Sequence, residues 1–116
     1  MKTLQEYICE AKEYFYNKNG IVVFGGDHFI DRTFDRNISN EEIRKNIKYF
    51  IKELQEITKK EPINYECVLR NKNIHPYLNI VVKYIKFEHN KHYFVIKTIM
   101  KENNFLSHSN FIDKYA

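Results

Sequence analysis

The amino-acid sequence predicts an α+β fold in which N-terminal helices pack on an antiparallel sheet, and three features carry that expectation. Apolar residues recur at helical spacing as far as Pro62. Beyond Pro62 the period shortens to two, as in strands that face a core on one side. Only three Gly and two Pro occur in 116 residues, which favours regular elements over long loops. Helices followed by strands give an α+β class.

Residues 3–18 are expected to form the first helix. Thr3 and Glu6 fit a capping box, and Leu4, Tyr7, Ile8, Ala11, Tyr14 and Phe15 make one apolar stripe. Asn19-Gly20 stands where such a helix would stop. Ile21 to Phe24 suits a short buried strand or an extended segment, and Gly25-Gly26 a turn. Asp27 is the candidate N-cap of a second helix running to Arg36, with Asn37 as its stop. Ser39 to Glu42 is a full capping box and opens a third helix over about residues 40–59. Ile43, Ile47, Phe50, Ile51, Leu54 and Ile57 form its buried stripe. Tyr65, Cys67 and Leu69 alternate with polar residues as a strand. Tyr77 to Phe87 makes a long strand, Glu88 to Lys91 a hairpin turn, and His92 to Met100 the return strand. Simple alternation places Lys97 and Thr98 on opposite faces of that strand. The tail from Phe105 to Ala116 fits a last strand or a short helix.

The length suits one domain. Hydrophobic residues make up 43% and charged residues 29%, which excludes a disordered chain. Nine Tyr and nine Phe supply an aromatic core without Trp. The net charge of +4 permits an anionic partner without requiring one, and most of the excess lies in the second half. Cys9 and Cys67 both fall in apolar patterns and read as buried, reduced thiols, with no zinc spacing. The N-terminus has no apolar core of a signal peptide, and no run approaches the ~20 apolar residues of a membrane span. A cytoplasmic location without membrane attachment is the expectation.

The chemistry concentrates between Asp27 and Asn37. His28, Arg32 and Arg36 recur every fourth residue, as do Asp27, Asp31 and Asp35 one position earlier and Ile30, Phe34 and Ile38 two positions later. On a helix each series forms one slowly drifting stripe. An imidazole beside two guanidiniums suits binding and cleavage of a phosphodiester. The same pattern also makes a salt-bridged helix face through His28 with Asp31 and Arg32 with Asp35, and spacing alone leaves both readings open. Three carboxylates in one stripe do not converge on a metal ion without partners from elsewhere, so no metal and no cofactor are expected.

The segment His28-x-x-x-Arg32-x-x-x-Arg36-x-Ile38-Ser39-x-x-Glu42-Ile43 resembles a helix pair of small domains in bacterial polymorphic toxins and phage proteins. That pair reads His-x-x-Glu-Arg-x-x-x-Arg-Gly-Ile-Ser/Thr-x-x-x-Ile and belongs to the barnase–EndoU–colicin–RelE superfamily of metal-independent ribonucleases. Asp31 stands here in place of the family's Glu, and Asn37 in place of its Gly. The resemblance implies that residues 1–116 are a single ribonuclease-like domain, with the helices packed on a four-stranded antiparallel sheet. It implies a metal-independent endoribonuclease of toxin or phage-effector type, with RNA, tRNA included, as substrate and an immunity or antitoxin protein as a further partner. Family members often carry a Thr or Ser on a late strand, and Thr98 stands at the corresponding place in Val95 to Met100.

Such cleavage proceeds by attack of the 2′-hydroxyl on the adjacent phosphorus. His28 is the candidate proton carrier, and Arg32 and Arg36 are candidate phosphate holders. Thr98 would donate to a phosphate oxygen, and Lys97 and His108 are candidate substrate contacts. The alternatives are a non-catalytic RNA-binding module and a phage or bacterial protein-interaction module. For the first, Tyr77, Tyr84, Phe87 and Tyr93, interleaved with lysines, would make a basic aromatic sheet face.

Overall fold

The computed structural model describes residues 13–26 and 38–114. These form two helices and a six-stranded mixed sheet, not N-terminal helices on a four-stranded antiparallel sheet. In chain order the elements are β1 (Glu13–Lys18), β2 (Ile21–Gly25), α1 (Asn40–Tyr49), α2 (Ile51–Lys60), β3 (Glu66–Asn71), β4 (Leu78–Glu88), β5 (Lys91–Lys101) and β6 (Asn110–Lys114). The sheet order is β1-β2-β5-β4-β3-β6. The β2–β5 and β3–β6 pairs are parallel, and the other three are antiparallel.

The end of the expected first helix is strand β1. Asn19-Gly20 is not a helix stop but the two-residue loop of a hairpin, with Lys18 paired to Ile21 across it. Both residues have positive φ, 54° and 78°, as a type I′ turn requires, and Asn-Gly supplies that geometry at least cost. The aromatic run Tyr14-Phe15-Tyr16 then pairs with β2, whose continuous apolar character suits a strand covered on both faces. His89-Asn90 makes the corresponding turn between β4 and β5, again with both φ positive. The two turns abut, since the His92 N–H donates to the Gly20 carbonyl at 2.7 Å.

Gly20 is therefore required twice. A Cβ there would sit in left-handed backbone and 3.3 Å from the Asn90 carbonyl oxygen. Gly20→Ala is expected to destabilise the fold by about 1–2 kcal/mol, measured as a lower urea midpoint at unchanged slope.

The third predicted helix forms, but as two pieces meeting at Phe50, whose φ of −97° and ψ of 13° interrupt the α conformation. Ser39 caps α1, its Oγ accepting from the Glu42 N–H at 3.1 Å, as the capping box anticipates. Ile43, Ile47, Phe50, Leu54 and Ile57 turn to one face of the sheet, here called the helix face. They meet Ile21 and Val23 of β2, Cys67 and Leu69 of β3, Ile80 and Val82 of β4, and Phe94 and Ile96 of β5. Val22, Phe24, Val68, Val81 and Val95 point to the far face and are buried as well, outside that cluster. The Cys67 thiol is free, and its pKa is pushed up to about 12, chiefly by burial and further by Glu66 and Glu61. It stays protonated and unreactive at neutral pH.

The undecided tail is strand β6. Asp113 accepts from Arg70 Nε at 2.6 Å and Nη2 at 2.9 Å, and Lys72 approaches it at 3.2 Å. Lys114 bonds Glu53 of α2 at 2.8 Å and the Tyr49 carbonyl at 2.7 Å. The Arg70 hydrogen bond, against the opposing effect of burial, holds the Asp113 carboxyl below the usual range. A depressed carboxyl contributes stability above its unfolded pKa and loses it as pH falls through the folded one. Amide exchange of β6 is thus expected to lose protection below the ordinary aspartate range. In Asp113→Asn that acid-dependent part should disappear, leaving a strand that is less protected at neutral pH.

Candidate functional site

A β-bulge in β5 decides where the candidate strand residues point. Val82 pairs with Ile96 and Val81 with Thr98, so Lys97 is the extra residue. Ile96 and Ile99 both enter the helix-face core, although three positions separate them. Lys97 and Thr98 between them therefore both point to the far face. The expectation that they lie on opposite faces rested on unbroken alternation, which the bulge breaks.

Lys97 does not stand alone there. Its Nζ lies 2.9 Å from Glu66 Oε1 on β3, reaching past the intervening strand β4. The second oxygen of Glu66 accepts from Ser109 Oγ at 3.0 Å. The loop before β6 is thus folded over the same face as Lys97 and Thr98. The Ser109 N–H donates to Ser107 Oγ at 3.1 Å, which shapes the local turn. His108 lies between these two serines and is exposed. Burial tends to raise the Glu66 pKa, but hydrogen bonds from Lys97 and Ser109 and the charges of Lys97 and Lys83 outweigh it and lower it. Glu66 is ionised at neutral pH and acts as a counter-ion that orients Lys97. Sequence reasoning passed over Glu66 because its role comes from cross-strand register, opposite Lys83, and no local pattern announces it.

His28, Arg32 and Arg36, with Asp27, Asp31 and Asp35, lie outside the described residues. The structure brings together Lys97, Thr98 and the His108 loop, whereas His28, Arg32 and Arg36 are assigned to the candidate site by sequence alone. Among the described residues no cluster of His, Cys, Asp and Glu is arranged to hold a metal ion. No helix among them is long and apolar enough to cross a membrane.

The remaining histidines have other surroundings. His92 receives or shares a hydrogen bond of 2.6 Å between its Nδ1 and the Tyr84 hydroxyl, and its ring packs on Phe87 at 4.4 Å. Burial lowers the His92 pKa and raises that of Tyr84. His75 is exposed ahead of a cis Pro76, and His89 is exposed in the hairpin turn. Of the expected basic aromatic sheet face, Phe87 is exposed, Tyr77 and Tyr93 are half-buried, and Tyr84 belongs to the core. Tyr84 is 4% exposed and stacks on Phe94 in the core.

Chemically, the far face offers the Lys97 ammonium and the Thr98 and Ser109 hydroxyls, with exposed His108 in the adjoining loop. Lys97 and Thr98 can hold a phosphate oxygen from adjacent positions. A phosphate arriving there competes with Glu66 for the ammonium. No family model, curated protein or solved structure matches the chain.

Proposed function

We propose that the protein is a metal-independent endoribonuclease of toxin or phage-effector type, acting on RNA, tRNA included, in the cytoplasm. His28 carries the proton, Arg32 and Arg36 hold the phosphate, and Thr98 with Lys97 contacts its oxygens. His108 contributes a further substrate contact. The observation that supports this reading is the β5 bulge, which puts Lys97 and Thr98 on one face under the His108 loop. The six-stranded mixed sheet departs from the four-stranded antiparallel one that the resemblance implies, so the proposal rests on side chains and not on the fold.

Phosphate contacts made by charged or charge-assisted donors are worth about 1.5–3 kcal/mol each, or about 10–100-fold in rate. Lys97→Ala and Thr98→Val are each expected to lower kcat/KM for RNA cleavage by about that factor. Cleavage at wild-type rate in both variants contradicts the assignment. The second reading is a non-catalytic RNA-binding or protein-interaction module with an immunity or antitoxin-like partner. The Lys97–Glu66 ion pair favours its protein-interaction form, because a neutralised cation is a structural tie more than a phosphate donor. Salt-dependent retention of RNA without cleavage by the wild-type protein is the outcome that selects the RNA-binding form.

A further inference from the structure

Among the described residues, three polar side chains are buried: Asn46, Asn71 and Asn79. Asn79 Nδ2 donates to the carbonyls of Tyr77, Met100 and Glu102, and its buried Oδ1 has no hydrogen-bond partner among the described residues. The other two meet at one place, where α1 faces the loop after β3. Asn71 Nδ2 donates to Asn46 Oδ1 at 2.7 Å, Asn46 Nδ2 donates to the Glu42 carbonyl at 2.8 Å, and Asn71 Oδ1 accepts from the Asn73 N–H at 2.9 Å. Each of these uses one hydrogen or one lone pair of a carboxamide that has two.

The pair lines an open groove. Its larger part has a volume of about 470 Å³ and is walled by Tyr49, Ile74 and Asn73 in addition to Asn46 and Asn71. A second part of about 330 Å³ shares Lys45, Asn46 and Ile74 and continues it toward Ser39. The larger volume lies within the range of about 300–1,000 Å³ that small-molecule sites occupy. Lys45 and Lys48 stand on the rim, both exposed, and neither makes an ion pair among the described residues. Of the nearby acids, Glu42 is engaged by Lys101 at 2.9 Å, and Glu41 borders only the smaller part. The lining is mostly apolar, with adjacent carboxamides at its floor and two cations at its mouth.

That combination matches one chemistry. A flat heterocycle suits the Tyr49 and Ile74 walls, adjacent carboxamides match the donor and acceptor edge of a base, and ammonium groups suit a phosphate. We propose that this groove binds a nucleoside monophosphate, with the base edge toward Asn46 and Asn71 and the phosphate at Lys45 and Lys48. The site is independent of the ribonuclease reading, because it lies beside α1 on the helix side of the sheet, whereas Lys97 and Thr98 point to the far face.

The test is a titration of the whole protein with 5′-AMP, followed through backbone amide resonances. Saturable shifts are expected in α1 and in residues 71–74. In Lys45→Ala/Lys48→Ala, whose two sites are exposed, affinity should fall by about tenfold or more, whereas Lys52→Ala on α2 should bind as wild type. Adenosine, lacking the phosphate, should bind the wild-type protein as weakly as 5′-AMP binds the double variant. Absence of saturable shifts at these amides, equal affinity in the double variant, or the same shifts and affinity with inorganic phosphate alone would each overturn the assignment.

Discussion

In His28→Ala, RNA cleavage is expected to fall by about 10²–10⁴-fold, the usual worth of a positioned proton carrier. The thermal midpoint should stay close to wild type. A single His–Asp pair at helical i,i+3 spacing, as the sequence suggests for His28 and Asp31, would contribute only about 0.2–0.5 kcal/mol, too little for its loss to unfold the chain. The two readings of the stripe diverge here. If His28 belongs to a salt-bridged surface, the substitution changes stability by a few tenths of a kcal/mol and leaves cleavage untouched. If it carries the proton, cleavage collapses and stability barely moves. Rate and midpoint measured on the same preparation separate them.

Phe94→Ala is expected to cost about 3–5 kcal/mol, the largest stability effect assigned to any single position. Phe94 is fully buried at the middle of β5 and stacks on Tyr84 with ring centroids 5.0 Å apart. β5 is the strand through which the β1–β2 hairpin joins β4 and β3, so a cavity there loosens the sheet at its centre. Domains of this size are stable by about 5–15 kcal/mol, so such a loss leaves a marginal protein. The control is Leu106→Ala. Leu106 is 90% exposed, and its truncation should change the urea midpoint within an equivalent of about 0.5 kcal/mol. Equal effects at the two positions would contradict the packing described.

The strands that sequence reading located were those whose signals are local. The β3 region alternates visibly, β4 and β5 stand out as runs rich in Ile, Val and aromatic residues on either side of a turn, and α1 announces itself through the Ser39 capping box. The failures have physical causes. Tyr14 and Phe15 extend the helical stripe of the preceding residues, and Asn-Gly serves equally as a helix stop and as a type I′ turn. Only the pairing with β2 decides between them. β6 is held through Arg70 and Asp113, 43 residues apart, and through a parallel pairing that leaves no turn signature. The break at Phe50 has no Gly or Pro to mark it. At the candidate site, one bulge residue reversed the facing of Thr98 relative to Lys97, because side-chain parity changes with every inserted residue. Lys97, Thr98 and His108 were identifiable as residue types, whereas Glu66, which orients the first of them, depends on register across three strands.

The proposed function requires catalysis of RNA cleavage without a metal. It is tested most directly by incubating purified wild-type protein with total RNA in EDTA and identifying the chemistry of the new ends. Discrete fragments with 2′,3′-cyclic phosphate termini are expected from the wild-type protein, and none from His28→Ala. Intact RNA after exposure to a large excess of protein would contradict it.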